Sequence, residues 1–162
     1  MPIPGAEVGL SLRRGWACGT PVRKVIADKN GRYEFLVLPQ KQEYINYAEA
    51  EDFWRNQITT GIINKVTDHE QVGPIILKRP NLSVSGVVLH DDGRVVADIP
   101  VHLGGEGQPN LDSKTGAEGK FLFENVCSGV VWVSAKNKVL FGKIETEGGV
   151  KNVELVVRPR FE

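Results

Sequence analysis

One short pattern occurs twice and constrains what the rest of the chain can fold into. Ala27-Asp28-Lys29-Asn30-Gly31-Arg32-Tyr33-Glu34-Phe35 returns later as Thr115-Gly116-Ala117-Glu118-Gly119-Lys120-Phe121-Leu122-Phe123. Each copy is a polar turn ending in glycine, then a basic residue, then aromatic-x-Phe. The glycine supplies the positive φ of a tight turn. Aromatics two positions apart point to one face of a strand. The turn glycines Gly31 and Gly119 lie 88 positions apart, a spacing that suits one β-sandwich per copy. The pattern builds sheet and carries no chemistry of its own.

With 162 residues the chain is long enough for one medium domain or two small ones. The 18 glycines and 9 prolines are spread along it, which favours many turns between short strands over long helices. Lys and Arg number 20, as do Asp and Glu. Nucleic acid is therefore not an expected partner, and Arg13-Arg14 and Arg158-Pro159-Arg160 read as solvated surface. No apolar run approaches a membrane span, and no basic-then-apolar leader opens the chain. Its start, Met1-Pro2-Ile3-Pro4-Gly5, reads as the inside of a domain, so a fragment is expected. A monomer with no cofactor is the expectation.

In chain order, period-two alternation predicts strands over residues 2–12 (Ala6, Val8, Leu10 and Leu12 inward), 22–27, 33–38, 44–50 and 58–66. Residues 72–78, with Pro74 inside, read as an edge strand. Arg79-Pro80-Asn81 breaks the pattern and sets a boundary, giving domains 1–80 and 81–162. In the second half, Leu82–Leu89, 95–103, Lys120–Phe123, 130–135, 140–146 and 150–157 read as strands. Gly104–Asn110 reads as a loop. Asp92-Gly93 signals a hairpin with a two-residue turn.

The halves align by role. Ile3–Val8 matches Val96–Val101, Gly31–Phe35 matches Gly119–Phe123, and Pro74–Leu77 matches Val153–Val156. Nothing in the first half matches Leu82–Leu89. Its opening strand is missing, which predicts an unfilled sheet edge or a substituted partner strand.

The second half then carries a resemblance. Val84-Ser-Gly-Val-Val-Leu-His-Asp-Asp-Gly-Arg94, Ala97-Asp-Ile-Pro-Val-His-Leu103, and Gly116-Ala-Glu-Gly-Lys-Phe-Leu-Phe-Glu-Asn-Val126 with Gly129 resemble the carboxypeptidase regulatory-like domain. The likeness covers most of residues 82–157 and, less cleanly, 2–78. It implies an all-β fold of two tandem seven-stranded antiparallel sandwiches of the prealbumin-like or Cna-B-like kind. It also implies a non-catalytic accessory module in a secreted, periplasmic or cell-envelope protein.

The residues offer little chemistry. His69 and His90 sit in polar turns, and His102 lies on an alternating strand facing solvent; all three read as exposed and unpaired. No G-x-S-x-G is present. Gly104-Gly-Glu-Gly107 lacks the Lys-Ser/Thr of a phosphate cradle. Asp28 and Asn30 are weak metal candidates, because the rest of a calcium loop is missing and an Asx turn explains them. Asp91-Asp92, Glu49/Glu51/Asp52 and Glu145/Glu147 read as solvated surface rather than acid catalysts. Cys18 and Cys127 read as free, partly buried thiols. The isopeptide bond of Cna-B-like relatives would need an inward lysine, and no strand shows one.

Exposed loop aromatics are the best binding candidates: Trp16, Phe53 and Trp54. Trp132, on its apolar strand, reads as core, and Phe53 leans the same way. The expected function is spacing, or presentation of loops to protein or glycan. The alternatives are a carbohydrate-binding module, which needs a coplanar aromatic platform, and a transthyretin-related hydrolase, which needs His and Arg converging at an oligomer interface.

Overall fold

Strand-forming runs and glycine turns produce an all-β chain. The computed structural model describes all residues except 15–16, 37, 39–40, 61–70 and 161–162, and leaves the side chains of residues 14 and 17–22 undescribed as well. Eleven strands are present among the described residues: β1 Glu7–Arg14, β2 Ala17–Ile26, β3 Tyr44–Glu49, β4 Asn56–Thr59, β5 Leu82–His90, β6 Pro100–Gly104, β7 Leu111–Lys114, β8 Lys120–Val126, β9 Val130–Lys136, β10 Leu140–Glu147 and β11 Val153–Pro159. The chain divides into two compact units, Met1–Lys78 and Arg79–Glu162.

The second unit is a seven-stranded sandwich. Its strand order is β7-β6-β9-β10-β11-β5-β8. β10 and β11 share only two residue pairs, Leu140↔Pro159 and Phe141↔Arg158, so the ribbon folds there into two layers. One layer is β7-β6-β9-β10 and the other is β11-β5-β8. Between them lie Val101, Leu103, Val131, Val133 and Ala135 from the first layer, and Val84, Val88, Phe121, Phe123, Leu155 and Val157 from the second. Alternation makes this possible, since every second residue of each strand points inward. The β5–β11 pair is parallel; the other pairs are antiparallel.

β5 is the middle strand of its layer, and Gly86 lets its neighbours close on it. A Cβ at Gly86 would fall on the Val153 carbonyl and lie 2.8 Å from Cζ of Phe121. A side chain there would push both flanking strands away.

The first unit has one four-stranded sheet, ordered β2-β1-β3-β4. That is the order β7-β6-β9-β10 repeated, with antiparallel pairs throughout. Pro21 stands opposite Ser11 where the β1–β2 register shifts, because proline brings no N–H to the ladder and is tolerated on the edge strand. A small core joins Ala6, Val8, Ala27 and Ala48, with Ile3, Val25, Tyr33, Phe35, Ile75 and Leu77 half-buried against it.

The two repeated turns share one bonding pattern. The amide of Asp28 donates to the Arg32 carbonyl and that of Gly31 to Asp28, both at 2.9 Å; Gly116 to Lys120 and Gly119 to Gly116 repeat this at 2.9 Å. Gly31 and Gly119 adopt φ of 70° and 69°.

The two turns lead into different backbone. Lys120–Val126 forms β8 against β5. Residues 33–36 form no strand, although Tyr33 and Phe35 face the core and Glu34 and Leu36 face out. Residues 72–77 are likewise outside any ladder, and only Lys78 makes a bridge, to Trp54. Both strands expected there fail for one physical reason: no β5 counterpart stands beside them, among the described residues, to complete the hydrogen bonds.

Several sequence expectations change in detail. Ile75 and Leu77 point inward and Ile76 outward. They therefore run in phase with Val153, Leu155 and Val157, which shifts the expected match of Pro74–Leu77 with Val153–Val156 by one residue. The turn after β5 is a three-residue loop, Asp91–Asp92–Gly93, with positive φ only at Gly93 and a 2.8 Å bond from the His90 amide to the Arg94 carbonyl. A strand at Leu111–Lys114, polar and unannounced by alternation, pairs with β6. Residues 95–99 approach as a bend rather than a strand, with Asp98 at φ 61°. Of the strand expected over 58–66, Ile58 and Thr59 belong to β4, and residues 61–66 fall outside the described residues.

Candidate functional site

Trp54 is the most exposed of the described loop aromatics, at 39%. It comes after a turn in which Asp52 takes φ of 65° and the Phe53 amide donates to Ala50. The Trp54 amide then donates to the Lys78 carbonyl at 2.8 Å. The backbone under the indole is thus fixed while its ring meets solvent. Phe53 is half-buried. Beside them the Arg55 guanidinium stacks 3.7 Å above the Tyr47 ring, a cation–π contact. Trp16 lies outside the described residues.

Asp28 and Asn30 are spent on the turn. One Asp28 carboxylate oxygen accepts the amides of Asn30 at 2.8 Å and Arg32 at 2.9 Å. These two bonds, that from Arg32 foremost, hold the carboxyl below its ordinary range. Asp92 does the same for the Asp91–Gly93 turn: its side-chain and backbone bonds from Arg94 lower its pKa. Among the described residues no three His, Cys, Asp or Glu side chains come close enough to hold a metal.

A second cluster lies on the outer face of the β7-β6-β9-β10 layer. Trp132, expected in the core, is there instead. On β9, Val131, Val133 and Ala135 are buried, so Trp132 and Ser134 turn outward. The indole lies over Gly104, where a Cβ would sit 2.6 Å from the ring. His102 packs against it at 5.1 Å with the rings tilted 43°, and the Lys143 ammonium lies 5.0 Å from its centre. His102, expected to be unpaired, bonds Asp112 through Nδ1 at 2.8 Å. The tilt does not give a coplanar platform for a sugar ring. His69 lies outside the described residues, and His90 lies at the end of β5.

The polar groups inside the second unit serve its frame. The buried Gln108 grips the backbone of Cys127, accepting its amide at 3.0 Å and donating to its carbonyl at 3.1 Å. The Thr115 hydroxyl donates to Val96 at 2.8 Å and accepts the Ile99 amide at 3.0 Å. Cys127 is fully buried; the Cys18 side chain lies outside the described residues. Lysines on the described strands, such as Lys24, Lys114, Lys120 and Lys143, are exposed.

Parity could have found the outer cluster. Ser134, two residues from Trp132, marks the polar face of β9, and His102 sits between the inward Val101 and Leu103. The apolar run of β9 hid that phase. Gln108 left no signal, because a loop glutamine carries no periodicity.

No family model matches the chain. No curated protein matches it either. Among solved structures it is similar to a streptococcal ancillary pilin, at TM-score 0.46 and 13% identity, over 98% of this chain and 59% of that one. It is also similar to a shaft pilin from Lactobacillus rhamnosus GG, at TM-score 0.39 and 7% identity, over 99% of this chain and 86% of that one. The chain thus spans 59% of the length of the ancillary pilin. The all-β assignment rests on strand order and core rather than on these likenesses.

Proposed function

We propose that this chain is a non-catalytic module of a secreted or cell-envelope protein, built from two copies of one sandwich type at 1–80 and 81–162, that spaces or presents loops for contact with a protein partner. The resemblance of residues 82–157 to carboxypeptidase regulatory-like domains supports the compartment and the accessory role. The observation that carries the reading is Trp54: an exposed indole on a backbone clamped to Lys78. A rigid aromatic of this kind gives contact area at little cost in ordering. Trp16 and Phe53 complete the candidate contact loops, and glycan is the alternative partner.

A photo-crosslinking amino acid placed at position 54 tests this. Exposed to an envelope extract, it should form polypeptide adducts that Trp54→Ala abolishes when the probe is moved to position 53. A shift of Trp54 emission by cell-wall oligosaccharides, with no polypeptide adduct, would overturn protein contact in favour of glycan.

A further inference from the structure

We propose that one end of the second unit, the β9–β10 hairpin tip together with the end of β11, docks on an anionic lipid surface. Register builds the patch. Phe141 pairs with Lys136 on one side and with Arg158 on the other. Cross-strand partners share a face, so one aromatic ring stands between two cations. One step toward the tip, the Val139 carbonyl accepts the Arg160 amide at 2.8 Å, and Lys138 lies in the turn. Lys136, Lys138, Arg158 and Arg160 are all exposed. So are Val139, at 63%, and Phe141, at 43%.

The tip is held in shape by its own turn. The Asn137 amide donates to the Leu140 carbonyl at 3.0 Å. The Asn137 side-chain oxygen accepts the amides of Val139 at 2.9 Å and Leu140 at 2.8 Å. Val139 is thereby fixed in water, where an apolar group gains nothing. Contact with hydrocarbon would remove that surface from water.

Charge decides the occupant. Among the described residues none of the four cations makes an ion pair. The carboxylates at this end are matched instead: Asp92 by Arg94, Asp98 by Lys114 and Glu118 by Lys120, while Asp91 also acts on Arg94. The other end, where Leu82 enters beside Val126, is the reverse. There Glu106, Glu124, Glu145 and Glu147 stand exposed against Arg79 and Lys151. The neutral total of the sequence thus conceals a basic end and an acidic end. β5 has 9 residues, a span of about 30 Å. That is several times the Debye length of about 8 Å, so the acidic end does not oppose docking at the basic one.

A soluble polyanion would answer the four cations and leave Val139 and Phe141 wet. A bilayer answers both, with phosphates at the level of the cations and acyl chains beneath the apolar pair. The surface belongs to the second unit alone, so it goes beyond the contact role of Trp54.

Co-sedimentation of the full chain with phosphatidylcholine vesicles, with and without phosphatidylglycerol, tests this. Binding is expected only with phosphatidylglycerol, and it should fall steeply as salt is added. Lys138→Ala should weaken it about fivefold. Val139→Ser should weaken it about threefold or more, and Val139→Leu should bind at least as well as the parent chain. Lys151→Ala, at the acidic end, should bind as the parent does. So should Trp54→Ala, which separates this proposal from the contact role of Trp54. Absence of binding to the anionic vesicles, or equal binding to both kinds, would overturn the proposal. Parent-like binding by Val139→Ser would also overturn it, in favour of a soluble polyanion.

Discussion

Single residues decide how closely this backbone can pack. Gly86→Ala places a methyl on the Val153 carbonyl and against Phe121. The middle of a layer cannot yield as a loop would, so a loss of about 3–4 kcal/mol is expected from urea unfolding. Gln108→Ala removes two hydrogen bonds to the buried backbone of Cys127, for about 2–3 kcal/mol by the same measurement. Asp28 gives a pH signature. Its folded pKa is depressed by the Arg32 and Asn30 amides, so its contribution is present above the ordinary aspartate value and lost as pH falls through the folded one. Asp28→Ala should lower stability at neutral pH and flatten the acid limb of a circular-dichroism titration below pH of about 4. None of these glycine and glutamine roles is visible in the sequence, because each depends on a neighbour distant in the chain. The Asx turn at Asp28 was legible, since its partners lie two and four residues away.

At the scale of the element, alternation told inside from outside on most strands, but not at the end of β1, where Ser11 is buried and the expected inward Leu12 is half-buried, nor on β3, where Asn46 is buried with its neighbours. Val8 and Leu10 on β1, and Phe121 and Phe123 on β8, are inward as the period of two requires. It misplaced Trp132 because Val130 and Trp132 make the first half of the outer face of β9 apolar, so composition overrode the phase that Ser134 marks. A pair of variants reads that phase directly. Val133→Ala should cost about 2–3 kcal/mol, since Val133 is fully buried and its loss leaves a cavity. Trp132→Ala, on the outer face, should cost about 1 kcal/mol despite removing a far larger side chain. β7 escaped notice because Leu111-Asp112-Ser113-Lys114 is an edge strand with only Leu111 packed against the core, and edge pairing depends on backbone rather than pattern.

Among the described residues one layer is repeated, and the second layer is laddered in the second unit alone. The sequence signalled this asymmetry, as nothing in residues 1–78 aligns with Leu82–Leu89. It did not signal the consequence, that aromatic-x-Phe after Gly31 remains extended yet unladdered. Pattern reports which face a residue shows to the core; a ladder also needs a neighbour, which pattern cannot supply. The Tyr33–Phe35 and Phe121–Phe123 pairs keep similar ring separations, 5.9 and 5.8 Å, so side-chain packing survives where backbone pairing does not. Native-state hydrogen exchange of the isolated chain tests this directly. Amides of Tyr33, Phe35, Ile75 and Leu77 should exchange orders of magnitude faster than those of Phe121, Phe123, Leu155 and Val157. Equal protection of the two sets would contradict the account.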